Sequence, residues 1–183
     1  MADDSFKREF LETHNKYRAK HNSKRMTLKE DLNASAQSWA DHLLSTKALA
    51  HSKSENGENV YYKWSSAPLK LTGKEAVESW YDEINSYNFG NPGFASGTGH
   101  FTQVVWNNST ELGVGMATDG NYVFVVGQYR PAGNIMGQFQ KNVLPAGDGG
   151  SVNDDKPNND DNKPNSDDNK PNSDDNSKPC TLL

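Results

Sequence analysis

The run Ser96-Gly-Thr-Gly-His-Phe-Thr-Gln-Val-Val-Trp106 decides how the rest of the chain is read. Gly97 and Gly99 permit a sharp backbone bend, because glycine reaches conformations closed to other residues. Behind them Phe101, Val104, Val105 and Trp106 form an apolar turn, which predicts a short helix burying its aromatic face. His100 therefore stands at or near a helix N-terminus, beside flexible backbone. An imidazole placed there is either a capping group or part of a site. Which of the two depends on what other segments bring to it.

Outward from this stretch, residues 5–21 place Phe6, Phe10, Leu11, His14 and Tyr17 on one side of an amphipathic helix, with Ser5 as its cap. A second helix over 30–45 buries Leu32, Ala36, Trp39, Ala40, Leu43 and Leu44, and His51 follows its end. Gly57-Glu-Asn-Val-Tyr-Tyr62 opens a β-prone run, so Glu58 stands at the mouth of a short strand. Residues 63–71, with Ser65, Ser66 and Pro68, read as a loop. Thr72-Gly-Lys-Glu75 is a capping-box pattern with Glu75 reaching back. The third helix it starts carries Val77, Trp80, Tyr81 and Ile84 at helical period, with Glu83 on the edge of the buried face. Residues 88–99 are rich in glycine and proline and predict a long irregular loop. The runs 112–117 and 122–126 flank Asp119-Gly120, a strong hairpin signal. Helices first and a hairpin late predict a mixed sheet covered by helices on both faces, an α+β fold.

The chain has 183 residues, enough for one domain with a sizeable core, although only 33% are hydrophobic. A polar tail lowers that average. From Asp148 to Pro179 nine aspartates oppose four lysines, a balance of −5 that equals the formal charge of the whole chain. Residues 1–147 are therefore close to neutral, and no basic excess points to nucleic acid as a partner. The tail repeats Asp-Asp-Asn-Lys-Pro-Asn with a period of seven, placing Pro157, Pro164 and Pro171 in register. A proline in every repeat and no apolar core position exclude a coiled coil, so 148–183 is expected to be a disordered spacer behind a domain spanning 5–147.

No signal-peptide pattern or transmembrane run is visible, and the single cysteine, Cys180, allows no internal disulfide. These features lead us to expect a reducing, cytoplasm-facing location. Cys180-Thr-Leu-Leu183 has the form C-a-a-X, with a terminal leucine that favours a geranylgeranyl group. Thr181 is not aliphatic, which loosens the match. One prenyl chain gives only reversible attachment. A second cysteine is lacking and the tail is acidic, so the folded domain itself is expected to supply the second membrane contact.

Several motifs in order carry a resemblance. Gly99-His-Phe-Thr-Gln-Val-Val-Trp106 resembles the first signature of the CAP superfamily (cysteine-rich secretory proteins, antigen 5, pathogenesis-related 1). Phe124 to Asn134, ending Gln-Tyr-Arg-Pro-Ala-Gly-Asn, resembles the second. Gly57-Glu-Asn59, Trp80-Tyr-Asp-Glu83 and His14-Asn-x-x-Arg18 match further family motifs, and the loop from Tyr87 to His100 is most similar to the Golgi-associated, intracellular branch. The resemblance covers about residues 5–147. It implies a three-layer α-β-α sandwich (the CAP, or SCP-like, domain) with a cleft formed by His51, Glu58, Glu83 and His100. It also implies that His51 and His100 hold a divalent ion, often zinc, and that the protein binds sterol or another lipid. Two departures stand out. Secreted members carry cysteine where this chain has Gly127, and the Golgi-associated branch resembles myristoylated proteins beginning Met-Gly, where this chain has Ala2.

Taken singly, each cleft residue has an ordinary structural role open to it. A histidine after a helix is commonly a cap or dipole partner. A glutamate at a helix edge is commonly solvated. Their agreement with one family pattern is what points to a shared cleft. Two imidazoles supply two zinc ligands and water the rest, an open, weak and pH-dependent site, with Glu58 and Glu83 fixing the tautomers. Tyr61, Tyr62 and Trp64 are either core or a wall for an apolar ligand. The function expected is non-enzymatic: a prenyl-tethered domain on the cytoplasmic membrane leaflet, at the Golgi, binding lipid or sterol and partnering itself or other proteins. The alternative locations are the cytoplasm and, after unconventional export, the extracellular space. The alternative activity is a hydrolase in the same cleft. It would be metal-dependent or use a Ser-His-Glu arrangement with Ser65 or Ser66.

Overall fold

A four-stranded sheet in the order β1-β3-β4-β2 organises the computed structural model, which describes residues 1–147. The acidic repeat and Cys180 lie outside the described residues. The elements run α1 (Asp4–Lys20), β1 (Thr27–Leu28), α2 (Glu30–Thr46), β2 (Gly57–Trp64) and α3 (Gly73–Tyr81), then a 3-10 turn (Asp82–Ser86). There follow α4 (Gly99–Val105), β3 (Glu111–Thr118), β4 (Tyr122–Arg130) and a short α5 (Phe139–Asn142). β4 pairs antiparallel with both β3 and β2, and the two-residue β1, which the sequence did not announce, lies parallel to β3.

The sheet is covered on both faces, as the expected α-β-α sandwich requires. On one face Ala36, Ala40 and Leu43 of α2 pack on Val60, Ala117, Phe124 and Val126. On the other, Phe6, Phe10, Trp80, Phe101 and Val104 from α1, α3 and α4 pack on Leu112, Val114, Val123, Val125 and Tyr129. The alternation along β3 explains its composition. Gly113 and Gly115 face α2 so closely that a Cβ at either would come within 2.3 Å of the backbone at Leu32 or Gln37. Only glycine lets that helix backbone rest on the strand.

Helix boundaries follow the periodicity, while their caps partly differ. Asp3, not Ser5, caps α1, its carboxylate accepting from the Phe6 amide at 2.8 Å. Thr72 caps α3 by accepting from the Glu75 amide at 3.3 Å, but Glu75 does not reach back. Its carboxylate pairs with Lys63 at 2.5 Å instead. α3 stops at Tyr81, and the 3-10 turn carries Glu83 away from the helix face where the period placed it.

Arg18 joins the first helix to the signature helix. The side chain is fully buried. Its guanidinium donates to the carbonyls of Lys24 (2.7 Å), Val104 (2.9 Å), Trp106 (2.8 Å) and Ser109 (2.7 Å). Burial lowers its pKa to about 10, so it remains charged at neutral pH. Arg18→Met would take this donor from the carbonyls of Lys24, Val104 and Ser109, at about 1–3 kcal/mol for each one left dry, while that of Trp106 keeps the Ser109 amide at 3.1 Å. We expect a loss of at least about 3 kcal/mol, read as a lower urea midpoint at unchanged slope. A loss under about 1 kcal/mol would show that water replaces the guanidinium without penalty.

Candidate cleft of two histidine–glutamate pairs

The two pairs reach the first residues of the edge strand β2 from opposite faces of the sheet. Strand alternation turns Glu58 toward the α2 side, opposite Gln128 of β4, and turns Asn59 toward the α1 and α4 side. His51, in the segment after α2, meets Glu58 with Nδ1 and Oε1 2.8 Å apart. His100, the second residue of α4, meets Glu83 of the 3-10 turn with Nδ1 and Oε2 3.1 Å apart. Asn59 links the halves, its side-chain amide donating to the His100 carbonyl at 3.0 Å and to the Tyr129 hydroxyl at 3.2 Å.

Glu83 does more than orient an imidazole. Its Oε1 accepts from the backbone amides of His100 (2.9 Å) and Phe101 (3.0 Å), satisfying two orphan donors at the start of α4. Thr98, the residue at the capping position, makes no such bond itself. Glu58 is more heavily engaged still. Oε1 accepts from His51 and from the Ser52 amide (2.8 Å), and Oε2 from the Ser52 hydroxyl (2.5 Å) and Gln128 (3.2 Å). Burial alone pushes this carboxyl up, but those donors outweigh it and hold its pKa below the usual range.

A carboxylate only accepts, so each imidazole presents Nδ1–H to its glutamate. The ring nitrogen of His100 that remains able to ligate is Nε2, on a side chain 28% exposed beside a Glu83 that is 19% exposed. The His51 pair lies deeper, at 10% and 4%. Trp80 stacks on the His100 ring, centroids 6.1 Å apart and planes inclined by 16°. Among the described residues no group of three or more His, Cys, Asp or Glu is placed to hold a metal ion. Two imidazoles are the donor set of an open, water-completed site and are too few for a closed four-ligand centre.

Other expected residues fall elsewhere. Tyr61 is half-buried against the core on the α1 side. Tyr62 and Trp64 point to the opposite face and are 45% and 54% exposed. Their rings gather with Tyr122 and Phe124, at centroid distances of 5.1 to 6.4 Å. Ser65 lies beyond the far end of β2, bonded to Asn121 in the hairpin. Seven residues of strand separate it from Glu58, about 20 Å, so neither Ser65 nor Ser66 joins a catalytic arrangement there. Ser52, Asn59, Gln128 and Tyr129 are the site partners that sequence reasoning did not single out. Asn59 and Gln128-Tyr129 lay within the motifs quoted, while Ser52 had no signal beyond adjoining His51.

With this geometry in place, the comparisons are decisive for ancestry. The family model described as CAP, cysteine-rich secretory protein family, matches residues 11–129. The chain belongs to the CAP family. It is 46% identical over 152 residues to the Golgi-associated plant pathogenesis-related protein 1 of Homo sapiens, covering 79% of this chain and 96% of that one. The fold is similar to the structure of BmVAL-1, with a TM-score of 0.66 at 26% identity over 79% of this chain and 84% of the other. It is also similar to the crystal structure of NaASP2 with Zn2+, with a TM-score of 0.62 at 25% identity over 80% and 88%. Gly127 now has a physical reading in this family member. A Cβ there would sit 3.1 Å from the Phe10 ring and 3.4 Å from Trp80, so a side chain requires those rings to give way.

Two measurements follow from the carboxylates. Glu83→Gln keeps the shape but weakens the cap, and we expect exchange of the His100 and Phe101 amides to quicken by about tenfold, the equivalent of about 1.4 kcal/mol. Unchanged exchange would mean that α4 does not depend on Glu83. Because Glu58 has a depressed folded pKa, it contributes stability above its unfolded value near 4.5, and that contribution is lost as pH falls through the folded value. Glu58→Gln should lower the urea midpoint at pH 7 while flattening its fall below about pH 4.5. Parallel pH profiles for both proteins would refute the assignment.

Proposed function

We propose that this chain is a non-enzymatic CAP-domain protein tethered at the cytoplasmic face of an endomembrane, where it binds lipid or sterol. The observation that carries the membrane reading is the exposed aromatic cluster. Tyr62 and Trp64 stand 45% and 54% exposed on an edge strand. Such rings join an apolar body to a polar tip, which suits them to the boundary between headgroup and acyl chain. Lys47 lies over the adjacent Tyr122 ring at 4.3 Å, with its charge already paired to Asp119. Cys180-Thr-Leu-Leu183 supplies the prenyl signal, and the name of the human relative supports the Golgi as the membrane. No described helix is long and apolar enough to cross a bilayer.

Within the same reading, the imidazoles of His51 and His100 hold a divalent ion, zinc first, a choice supported by the similar fold of NaASP2, whose crystal structure is one with Zn2+. A cation held there would add positive charge between the two histidine–glutamate pairs. Glu58 and Glu83 keep both rings in the tautomer that ligation needs. The hydrolase alternative gains no support from the geometry. Glu58 already accepts four hydrogen bonds and Glu83 three, which leaves little capacity for a general base.

The test uses full-length protein from a eukaryotic host. Mass spectrometry of the C-terminal peptide should show a geranylgeranyl addition on Cys180. Sedimentation with Golgi-composition vesicles should fall by about threefold to tenfold in a Tyr62→Ala, Trp64→Ala double variant that keeps the tether, since each ring buries substantial apolar surface. An unmodified Cys180 refutes the tether, and unchanged sedimentation refutes the aromatic contact. Ester turnover that disappears in Glu83→Ala and His100→Ala, with vesicle binding intact, would instead establish the hydrolase.

A further inference from the structure

Four exposed cations lie within residues 16–25, and the fold brings a fifth, Lys141, to the same end. Lys16 and Lys20 occupy the last turns of α1, Lys24 and Arg25 the following turn, and Lys141 belongs to α5. All five are exposed. Hydrogen bonds tie these segments into one surface. The Lys24 amide donates to the Asn107 side chain at 3.1 Å, and the Asn107 amide to the Asn142 carbonyl at 3.0 Å. No acid occurs in residues 13–29, 106–110 or 133–147. The acids placed beside this end are Glu12, one turn before Lys16 on α1, and Glu78 and Asp82 on the α3 side of Tyr17, of which Glu78 already pairs with Lys74 at 3.4 Å. None of the five cations forms an ion pair with a described residue, whereas Lys29, Lys47, Lys63, Lys74 and Arg130 all do.

The chain leaves the domain at this same end. The Gly147 amide donates to the Lys20 carbonyl at 3.0 Å, and Asp148 is the next residue. From there to Pro179 the sequence carries nine aspartates and four lysines. Residues 1–147 hold fifteen cations and fifteen acids, so the net negative charge of the protein lies in the segment attached beside this basic end.

We propose that the acidic repeat, residues 148–179, folds back and docks on the basic end formed by Lys16, Lys20, Lys24, Arg25 and Lys141. Single exposed ion pairs are weak. Attachment at Gly147 changes the balance, because a segment tethered beside its target acts at an effective concentration in the millimolar range. The first aspartate pair, Asp154-Asp155, stands seven residues beyond Gly147, far enough to turn back on the surface, and later pairs offer alternative contacts. The contact is multivalent, interchangeable and salt-sensitive, with a screening length of about 8 Å at physiological ionic strength.

The experiment compares the full-length chain, unprenylated from a bacterial host, with a variant in which the eight paired aspartates from Asp154 to Asp175 are asparagine. Amide shifts of residues 19–26, 107 and 141 are followed as salt rises from about 20 to about 500 mM. We expect these shifts to move with salt in the native chain and to move less than half as far in the variant. The reciprocal variant, Lys20→Glu with Lys24→Glu and Arg25→Glu, should shift the aspartate amides of the repeat. Equal salt responses in the native and asparagine chains overturn the proposal. So does a basic end that responds to phosphatidylserine vesicles equally in both chains, which would assign that surface to a membrane with no competition from the repeat.

Discussion

The buried guanidinium of Arg18 fixes the helix on which the cleft depends. α4 spans only Gly99–Val105, too short to hold its shape unaided. Arg18 donates to the carbonyls of Val104 and Trp106 at its C-terminal end, and Glu83 accepts the amides of His100 and Phe101 at its N-terminal end. Cation and anion thus sit where the helix dipole favours each. Packing adds the rest, with Phe101, Val104, Val105 and Trp106 fully buried. The glycine-rich approach leaves the chain free to bend, and the two charges decide where it stops bending. His100 is therefore positioned by α1 and by the turn after α3 as much as by its own sequence.

A second constraint runs through the core as a line of hydrogen bonds whose directions are forced. The Phe10 carbonyl only accepts, so His14 must donate from Nδ1, at 2.8 Å. Its Nε2 then accepts from the Tyr129 hydroxyl, also at 2.8 Å. Tyr129 in turn accepts from Asn59, which also donates to the His100 carbonyl. Burial lowers the His14 pKa to about 3 and raises that of Tyr129, so both stay neutral and the line keeps one direction across the physiological range. It connects the first helix, the central strand β4, the edge strand β2 and the start of α4. A buried polar group without a partner is expensive, so the members of such a line specify one another.

How much of this was legible varied with the kind of force involved. The amphipathic helices could be read because apolar burial repeats with the helical period, and α1 and α2 fell within a residue or so of the expected spans. Asp119-Gly120 marked the hairpin because glycine alone accepts the turn geometry there with ease, Gly120 having φ of +99°. The two histidine–glutamate pairs were reached only through family resemblance, since 7 and 17 residues separate their members and no local period links them. Glu83 illustrates the limit. Periodicity placed it on α3, whereas a tertiary demand, the bare amides of α4, holds it in a 3-10 turn. Arg18 and His14 carried a motif but no readable role, because their partners are backbone carbonyls contributed by distant segments. Gly113 and Gly115 looked like ordinary strand residues until the α2 backbone was found lying on them.

The same geometry explains why the cleft can be open without being loose. Its two imidazoles arrive from opposite faces of the sheet, and the elements bearing them share little packing surface. What holds them in register is the start of β2, where Glu58 secures one half and Asn59 the other. Successive residues of a strand point to opposite faces, so these neighbours can serve the two halves simultaneously. Gly57 completes the arrangement, since a Cβ at that position would lie 2.2 Å from the Gln103 side chain of α4. A larger residue would have to displace that side chain, whose Oε1 accepts from the Gly133 amide at 3.0 Å. The start of β2 thus serves both halves from consecutive positions, Glu58 through the His51 side chain and Asn59 through the His100 carbonyl.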